Sequence, residues 1–318
     1  MTGPMVKVFR ITLLLLLGAA LASASIAQRS LPQKELLLWQ KLESSIRAED
    51  QKLDGVLGVA IKDLSNQHTL LVNADELFPT ASTIKIAVLA ELYRQAQQSR
   101  LKLTDSYTLQ QADLVGGSGV AAALTPGLTR LTLRDVAALM ISVSDNSMTN
   151  VLIERVGMEN VNSMLDSLGL AHTRLRRKMM DVKAAGEGRE NVATPEELMK
   201  LLEALYRGKV LNTEMTEDYF RLLSVHKESY LPRELPEEVQ VANKPGELEG
   251  VRNDCGIVFT GKRPYAICIM TTYLRHERDG GDAIVRISGE AYRMFDRLAR
   301  ASEYGRVVSS RDSGAPKP

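Results

Sequence analysis

Strand-like segments lie near both ends of this chain, and a mostly helical region separates them. The strand-like segments are residues 56–64, 68–72, 239–243, 254–260 and 265–272. Amphipathic helices are expected at the two ends, over residues 33–51 and 283–299. This order favours an α/β chain of the α+β type, in which one antiparallel sheet is built from both chain ends. Terminal helices would flank that sheet, and an all-helical subdomain would be inserted over residues 81–222. An active site is expected in the groove between sheet and subdomain.

The first 27 residues differ in character from the rest. Lys7 and Arg10 precede an apolar run over residues 11–22, and small residues follow. This order is typical of a secretory signal peptide, and the run is shorter than the ~20 residues needed to cross a bilayer. Cleavage is expected after Ala27, with Ala24 as the alternative. The mature protein would then be exported, periplasmic or secreted, without a stable membrane span.

Composition and charge narrow the function classes. The sequence divides into a signal peptide over 1–27, one globular domain over 28–301 and a polar tail over 302–318 that we expect to be disordered. Lys and Arg total 40 against 39 for Asp and Glu, which provides no basic surface for nucleic acid. The four histidines are scattered, so no metal site or cofactor is expected. A monomer acting on a small-molecule substrate fits these observations.

Cys255 and Cys268 lie in two neighbouring strand-like segments. If Gly261-Lys262 forms a two-residue turn, the two cysteines lie directly opposite each other. A slip of one residue would turn one side chain to the other face of the sheet. A bridge and a pair of buried free thiols are both compatible with the sequence, and the free thiols are the favoured alternative.

Ser82 and Lys85 are the first candidate catalytic pair. A turn containing Pro79 leads into an apolar helix, and Lys85 follows Ser82 by three residues, on the same helical face. A hydroxyl at the helix start lies near the positive end of the helix dipole, and a partly desolvated lysine is able to accept its proton. Two other Ser-x-x-Lys matches, Ser99 to Lys102 and Ser224 to Lys227, lie in more polar surroundings.

Two further motifs give this pair its context. Ser144-Asp145-Asn146 ends a predicted helix 62 residues after Ser82, and Lys244-Pro245-Gly246 ends a predicted strand 100 residues after Ser144. Ser-x-x-Lys, Ser-Asp-Asn and Lys-Thr-Gly together form a known set of serine acyl-transfer motifs. Order, element type and spacing agree here.

Over roughly residues 30–300 the chain resembles the class A β-lactamases and the wider penicillin-interacting serine hydrolases. Further matches are Thr132-Leu133-Arg134-Asp135, Asn150 and the segment from Arg189 to Pro195. The resemblance implies that a β-lactam is opened through an acyl-enzyme. A D,D-peptidase acting on peptidoglycan stem peptides and a binding protein without turnover are the alternatives.

The same resemblance implies roles for individual residues. Ser82 would be the nucleophile and Lys85 its base or proton relay, while Ser144 would shuttle a proton to the leaving nitrogen. Lys244 would supply positive potential and Asn146 would hold the substrate amide. The backbone N–H groups of Ser82 and Glu247, next to Gly246, would form the oxyanion hole.

Two departures concern the last motif and the loop near the groove. Pro245 replaces the hydroxyl residue that would donate to a substrate carboxylate, and Arg252 is the candidate replacement, with a solvated loop arginine as the alternative. Gly116-Gly117-Ser118-Gly119 lies where the family has a loop at the groove mouth. We expect a flexible rim there.

A third departure concerns the omega loop, where class A enzymes carry Glu-x-x-x-Asn to position the deacylating water. One register places that Glu at Met179 and the Asn at Lys183, and the other places the Glu near Arg177 or Lys178. Neither register supplies a carboxylate. Asp181 is the nearest candidate, and a salt bridge from Asp181 to a neighbouring cation is the favoured alternative. Acylation is therefore better supported than fast turnover.

Overall fold

The computed structural model describes residues 32–302 and 304–307. The signal peptide expected over 1–27 lies outside these residues. The helices of the described part are α1 Gln33–Lys52, α2 Lys85–Gln97, α3 Leu133–Ser142, α4 Asn146–Val156, α5 Met158–Ser167, α6 Val182–Gly186, α7 Pro195–Tyr206, α8 Thr213–Leu223 and α9 Glu277–Arg300. Its strands are β1 Val56–Asp63, β2 Thr69–Val72, β3 Phe78–Pro79, β4 Ser106–Thr108, β5 Arg130–Thr132, β6 Val192–Ala193, β7 Val241–Leu248, β8 Val251–Val258 and β9 Tyr265–Thr272.

The main sheet joins the two ends of the chain. Its strand order is β2-β1-β9-β8-β7, and every neighbouring pair is antiparallel. The N-terminal strand β1 pairs along its whole length with β9, close to the C-terminus, from Val56 opposite Thr272 to Asp63 opposite Tyr265. The expected sheet and its flanking terminal helices are confirmed. The inserted region is mainly helical, as expected, but it is not all-helical, because β4 and β5 form a short antiparallel pair within it.

Two hydrophobic clusters occupy the two faces of the sheet. On one face α1 and α9 pack together, with the Trp39 ring edge-on to Phe295 and Tyr265 stacked on Phe295 at 4.0 Å. On the other face lies the helical region, whose centre is α2, buried along nearly all its length. Burial on all sides holds α2 in place, so the short turn that contains Ser82 leads directly into a rigid helix.

Some boundaries differ from the sequence expectation. Helix α9 begins at Glu277, six residues before the expected start, and its first turns contain Gly280 and Gly281. These glycines obscured the apolar pattern, but they pack closely against Leu274 and the Tyr230 ring, where a Cβ would lie within 3.0 Å of a neighbouring atom. Close packing therefore outweighs the low helix propensity of glycine here.

Cys255 and Cys268 form a disulfide. The preference for two free thiols is therefore wrong. The predicted register is confirmed: the two residues lie directly opposite each other on β8 and β9, and Arg263 N–H donates to Thr260 O across a turn with Gly261 and Lys262 at its centre. The bridge therefore joins two strands that the sheet already holds side by side.

The first residues of the tail make backbone contacts with one another. Ala301 bridges to Val307, and Ser302 N–H donates to Arg306 O at 2.8 Å, so a turn closes after α9. Residues 308–318 lie outside the described part. Among the described helices, none has the length and apolar character needed to cross a membrane.

Candidate active site

Ser82 lies in a single 3-10 turn, Ala81–Ile84, that leads directly into α2. The turn is fixed from below by β8, because the Asn253 side chain donates to Pro79 O at 2.8 Å and to Thr80 O at 3.2 Å. Ala81 adopts a positive φ of 48°, which turns the chain sharply just before Ser82. Ser82 is half-buried at the groove, at the N-terminal end of the helical segment, as the sequence predicted.

Ser144 lies on the opposite wall, between α3 and α4. Its φ of 53° is in the left-handed region, and the next residue, Asp145, caps α4 by accepting from Met148 N–H. The other Asp145 oxygen accepts from the N–H groups of Val120 and Ala121 at 2.7 and 2.8 Å. A buried carboxylate with three backbone partners therefore fixes the Ser144 conformation.

The side chains of the three motifs meet at the Ser144 hydroxyl. Ser144 Oγ donates to Ser82 Oγ at 2.9 Å, and it accepts from Lys85 Nζ and from Lys244 Nζ, each at 3.0 Å. Lys85 Nζ also donates to Ser144 O at 2.7 Å and to Asn146 Oδ1 at 3.1 Å. The side-chain connection from Lys85 to Ser82 therefore runs through Ser144.

Both lysines of this network have lowered pKa values. Burial lowers the pKa of Lys85 well below its ordinary value, and the charge of Lys244 lowers it further, while Asp145 acts in the opposite direction. Burial lowers the pKa of Lys244 to about 7, with Lys227 adding to the effect and Asp254 and Glu247 opposing it. Each ammonium is therefore able to lose its proton far more easily than an exposed lysine.

Gly246 brings β7 against the Ser82 turn. A Cβ on Gly246 would lie 2.6 Å from Thr80 O and 3.0 Å from the backbone N of Ser82. Only glycine allows this approach, which places the next residue, Glu247, beside the Ser82 turn. This proximity fits the expected oxyanion hole of two backbone N–H groups.

Replacing Gly246 with Ala should therefore damage both the fold and the groove. We expect a loss of about 1–3 kcal/mol in the free energy of unfolding, because an added methyl group in a packed interior forces backbone shifts. The matched control is Gly186→Ala, where a Cβ meets nothing within 4 Å. Chemical denaturation measures both variants. Equal stability of the two would contradict the close approach.

Arg252 does not enter the groove. Its guanidinium donates to Leu248 O at 2.8 Å and to Val251 O at 2.7 Å, and it lies 3.4 Å from a Glu277 oxygen. The cavity beside Ser82 has a volume of about 460 Å³ and Arg252 is not part of its wall. The residues that line this cavity are Ser82, Ser118, Ile141, Ser142, Val143, Ser144, His226, Lys227, Glu228, Lys244, Pro245 and Glu247. The expectation that Arg252 replaces the lost carboxylate contact is not supported by this placement.

Met179, the position that one of the two registers gives to the omega-loop Glu, is bound by Asn150. Asn150 clamps Met179 with two hydrogen bonds, accepting from its N–H at 2.8 Å and donating to its carbonyl at 3.1 Å. Met179 is buried, whereas Asp181 is exposed and accepts from Ala184 N–H as the cap of α6. Asp181 therefore caps a helix and does not form the salt bridge that the sequence favoured. The residue whose backbone Asn150 binds is Met179, which has no basic or acidic group.

The glycine-rich segment at the groove mouth is attached to α4. Asn146 N–H donates to Ser118 O at 3.0 Å, and its side-chain amide donates to Gly116 O at 3.2 Å. A Cβ on Gly117 would lie 2.6 Å from the Asn146 amide nitrogen. The rim therefore packs on the same asparagine that contacts Lys85.

Two residues were missed from the sequence: Lys227 in the cavity wall, and Tyr230, which contacts the wall residue Glu247. Lys227 was set aside because its Ser-x-x-Lys match lies in polar surroundings, yet its side chain is buried. Tyr230 carried no motif, and its hydroxyl donates to the Glu247 carboxylate. Both residues follow α8 in an irregular segment, where the sequence has no helical or strand periodicity from which burial could be predicted.

The fold is an antiparallel sheet with an inserted, mainly helical region, and it brings the side chains of Ser82, Ser144 and Lys244 together in one groove. A model of the β-lactamase enzyme family matches residues 40–295, so the chain belongs to the β-lactamase enzyme family. The resemblance to class A enzymes is confirmed.

Individual relatives are distant but cover most of the chain. The β-lactamase SME-1 of Serratia marcescens is 26% identical over 235 residues, which span 71% of this chain and 79% of the relative. The β-lactamase CARB-3 of Pseudomonas aeruginosa is 25% identical over 272 residues, 82% and 93% of the two chains. The crystal structure of a β-lactamase from Sphaerobacter thermophilus DSM 20745 is 32% identical, with a TM-score of 0.74, and it covers 80% of this chain and 97% of that one.

Proposed function

We propose that this protein is an exported serine hydrolase of the class A β-lactamase type, which opens the β-lactam amide through an acyl-Ser82 intermediate. The observation that carries the proposal is the hydrogen-bonded path from Ser82 through Ser144 to two buried lysines, Lys85 and Lys244. The relatives named as β-lactamases support the same substrate class. Export rests on the signal-peptide pattern of residues 1–27.

Acylation requires one lysine to be neutral. Ser82 Oγ attacks the lactam carbonyl carbon and gives its proton to Ser144, while Ser144 gives its own to neutral Lys85. The backbone N–H groups of Ser82 and Glu247 stabilise the oxyanion. As the carbon–nitrogen bond breaks, the proton returns through Ser144 to the leaving nitrogen. The products of this step are an acyl-Ser82 ester and an opened ring.

Deacylation separates the main proposal from its alternatives. Water must attack the ester carbonyl and restore the Ser82 hydroxyl, and the position held by Asn150 offers Met179 in place of a general base. A long-lived acyl-enzyme would fit a penicillin-binding D,D-peptidase acting on peptidoglycan stem peptides. Permanent occupancy without release would fit a binding protein for the same ligands.

Labelling by a fluorescent penicillin tests the proposal. We expect wild-type protein to be labelled and Ser82→Ala not to be. Ser99→Ala is the matched control, since Ser99 begins another Ser-x-x-Lys match but is exposed. Hydrolysis of a chromogenic β-lactam supports the β-lactamase, whereas release of D-Ala from a stem peptide would assign the peptidase. Labelling of Ser82→Ala would contradict the nucleophile.

The acylation rate should rise with pH, because neutral Lys85 becomes more abundant. Burial and the Lys244 charge lower the pKa of Lys85, so the inflection should lie well below 10.5. Lys244→Met removes the like charge, raises the pKa of Lys85 and should move the inflection to higher pH. Stopped-flow pH profiles measure this shift, with Lys102→Met as an exposed control. An inflection that stays in place or moves to lower pH would exclude the coupling.

A further inference from the structure

Glu247, whose backbone N–H belongs to the proposed oxyanion hole, lies near the end of an edge strand. Strand β7 is the last strand of the main sheet, and only Leu248 follows Glu247 before the turn to β8. Phe259 N–H donates to Gln240 O at the start of this ladder, and backbone groups alternate in direction along an antiparallel pair. Glu247 is an odd number of residues further along, so its N–H points away from β8, to the open edge of the sheet. The sheet therefore holds Glu247 from one side only.

A buried tyrosine reaches Glu247 from behind the cavity wall. The Tyr230 hydroxyl donates to the Glu247 carboxylate. Tyr230 is buried and does not line the cavity, whereas Glu247 does. A hydrogen bond from a phenol to a carboxylate is charge-assisted, and it is therefore stronger than one between two neutral groups. Burial, and after it this hydrogen bond, raises the pKa of Tyr230, so the hydroxyl remains a donor at neutral pH.

The Tyr230 ring is itself fixed by three other parts of the chain. It packs against Gly281 of α9, where a Cβ would lie 2.8 Å from a ring carbon. The Arg233 guanidinium lies 4.6 Å from the ring centre, and its Nε donates to Ser229 O at 2.9 Å. The Tyr230 N–H donates to the Asp254 carboxylate at 2.9 Å. The hydroxyl therefore has a position that is set by contacts other than the one with Glu247.

We propose that Tyr230 is a positioning residue for acylation: by holding the Glu247 carboxylate, it keeps the Glu247 N–H directed at the oxyanion that forms when Ser82 attacks. This inference rests on the proposed function. Tyr230 acts through Glu247, because its hydroxyl is bound to the carboxylate and its ring lies outside the cavity wall. An oxyanion hole stabilises charge that develops in the transition state, and its effect depends steeply on geometry. Loss of the contact should therefore slow acylation more than it weakens noncovalent binding.

Tyr230→Phe removes the hydroxyl and keeps the ring. The limiting acylation rate constant with penicillin G should fall by about 10- to 100-fold, less than the roughly 10²- to 10³-fold cost of losing an oxyanion-hole donor outright. The dissociation constant of the noncovalent complex should stay near the wild-type value, and stopped-flow kinetics over a range of concentrations separates the two constants. The matched control is Tyr107→Phe, which removes a tyrosine hydrogen bond to the Asp113 carboxylate, 2.7 Å long and outside the cavity wall. It should acylate at the wild-type rate.

Infrared spectroscopy of the acyl-enzyme reports on the oxyanion hole directly. Hydrogen bonds to the ester carbonyl polarise its C=O bond and lower its stretching frequency. With penicillin G that is isotope-labelled at the lactam carbonyl, the ester band of Tyr230→Phe should lie at higher frequency than the wild-type band. The band of Tyr107→Phe should coincide with the wild-type band. A residue that only supports the fold would lower the unfolding temperature and leave this band in place.

A double-mutant cycle identifies the partner of Tyr230. Glu247→Ala removes the carboxylate and keeps the backbone N–H, so it should lose about as much acylation as Tyr230→Phe. If the two side chains act as one contact, the double variant should lose no more than either single variant. Losses that multiply would mean that Tyr230 acts by another route, and they would overturn the inference. A slow Tyr230→Phe variant whose ester band is unmoved would do the same, as would one that acylates at the wild-type rate.

Phenylboronic acid separates this inference from the proposed function. It binds a serine hydroxyl as a tetrahedral adduct that places an oxygen in the oxyanion hole, and it is not turned over. Failure of penicillin G to acylate the wild-type protein would contradict the proposed function. Calorimetry would then still test Tyr230, because Tyr230→Phe should bind the boronic acid about 10-fold or more weakly than the wild-type protein and Tyr107→Phe. Equal affinity in all three proteins, or binding by none of them, would overturn the inference.

Discussion

Lys85→Met should lose acylation by a β-lactam by about 10²- to 10⁴-fold, the range that a general base contributes. The buried Lys85 ammonium contacts both the hydroxyl and the carbonyl of Ser144, and through that hydroxyl it reaches Ser82. Methionine fills the space but accepts no proton. Because an uncompensated buried charge is removed, the fold should stay cooperative. Quenched-flow labelling gives the rate, and thermal unfolding checks the fold.

Lys102→Met is the matched control for this loss. Lys102 also stands three residues after a serine, Ser99, but both side chains are exposed. Its acylation rate should equal that of the wild-type protein. A Lys85→Met variant that is labelled at the wild-type rate would remove the lysine from the proton path and leave Lys244 as the base.

Met179→Glu should shorten the life of the acyl-enzyme by at least about 100-fold, since a positioned base activates water efficiently. The reason is the position of Met179, whose backbone is fixed by two hydrogen bonds to Asn150. Asn150 lies on α4, one helical turn after Asn146. The neighbouring residue, Met180, reaches the Gly117 rim, so this segment borders the groove. Time-resolved mass spectrometry of the penicillin adduct measures the release.

Met179→Gln separates chemistry from shape. Glutamine has the size and hydrogen-bonding reach of glutamate but cannot act as a base at neutral pH. We expect Met179→Gln to release the adduct as slowly as the wild-type protein. Equal acceleration by Glu and Gln would mean that opening the packing around residue 179 admits water, and it would contradict a positional base.

Much of the fold follows from short-range patterns in the sequence. Alternation and turn residues located most strands, and the Gly261-Lys262 turn gave the correct register between β8 and β9. The start of α9 was missed because Gly280 and Gly281 are poor helix formers in isolation. Their place in the helix depends on Leu274 and Tyr230, which lie elsewhere in the chain.

In the candidate site, too, residues in short local motifs were predicted and residues placed by packing were not. Ser82, Ser144 and Lys244 were predicted because each belongs to a short motif at the end of a helix or strand. Arg252 and Lys227 were harder to place, because each donates to carbonyls no more than four residues away, and only the packing of the elements around them decides which side chain lines the cavity. The guanidinium of Arg252 suggested a contact with the substrate carboxylate on chemical grounds, but in the structure Arg252 is not among the residues that line the cavity. Lys227, whose sequence neighbours are polar, is buried in the fold.

Intact-protein mass spectrometry after addition of a penicillin tests the central claim, that Ser82 is acylated through this network. We expect a single adduct of the mass of the penicillin on the wild-type protein, on the peptide that contains Ser82, and none on Ser82→Ala. Sampling from seconds to hours then shows whether the adduct clears, as in a β-lactamase, or persists, as in a penicillin-binding enzyme. No adduct on the wild-type protein, or an adduct on another residue, would contradict the claim.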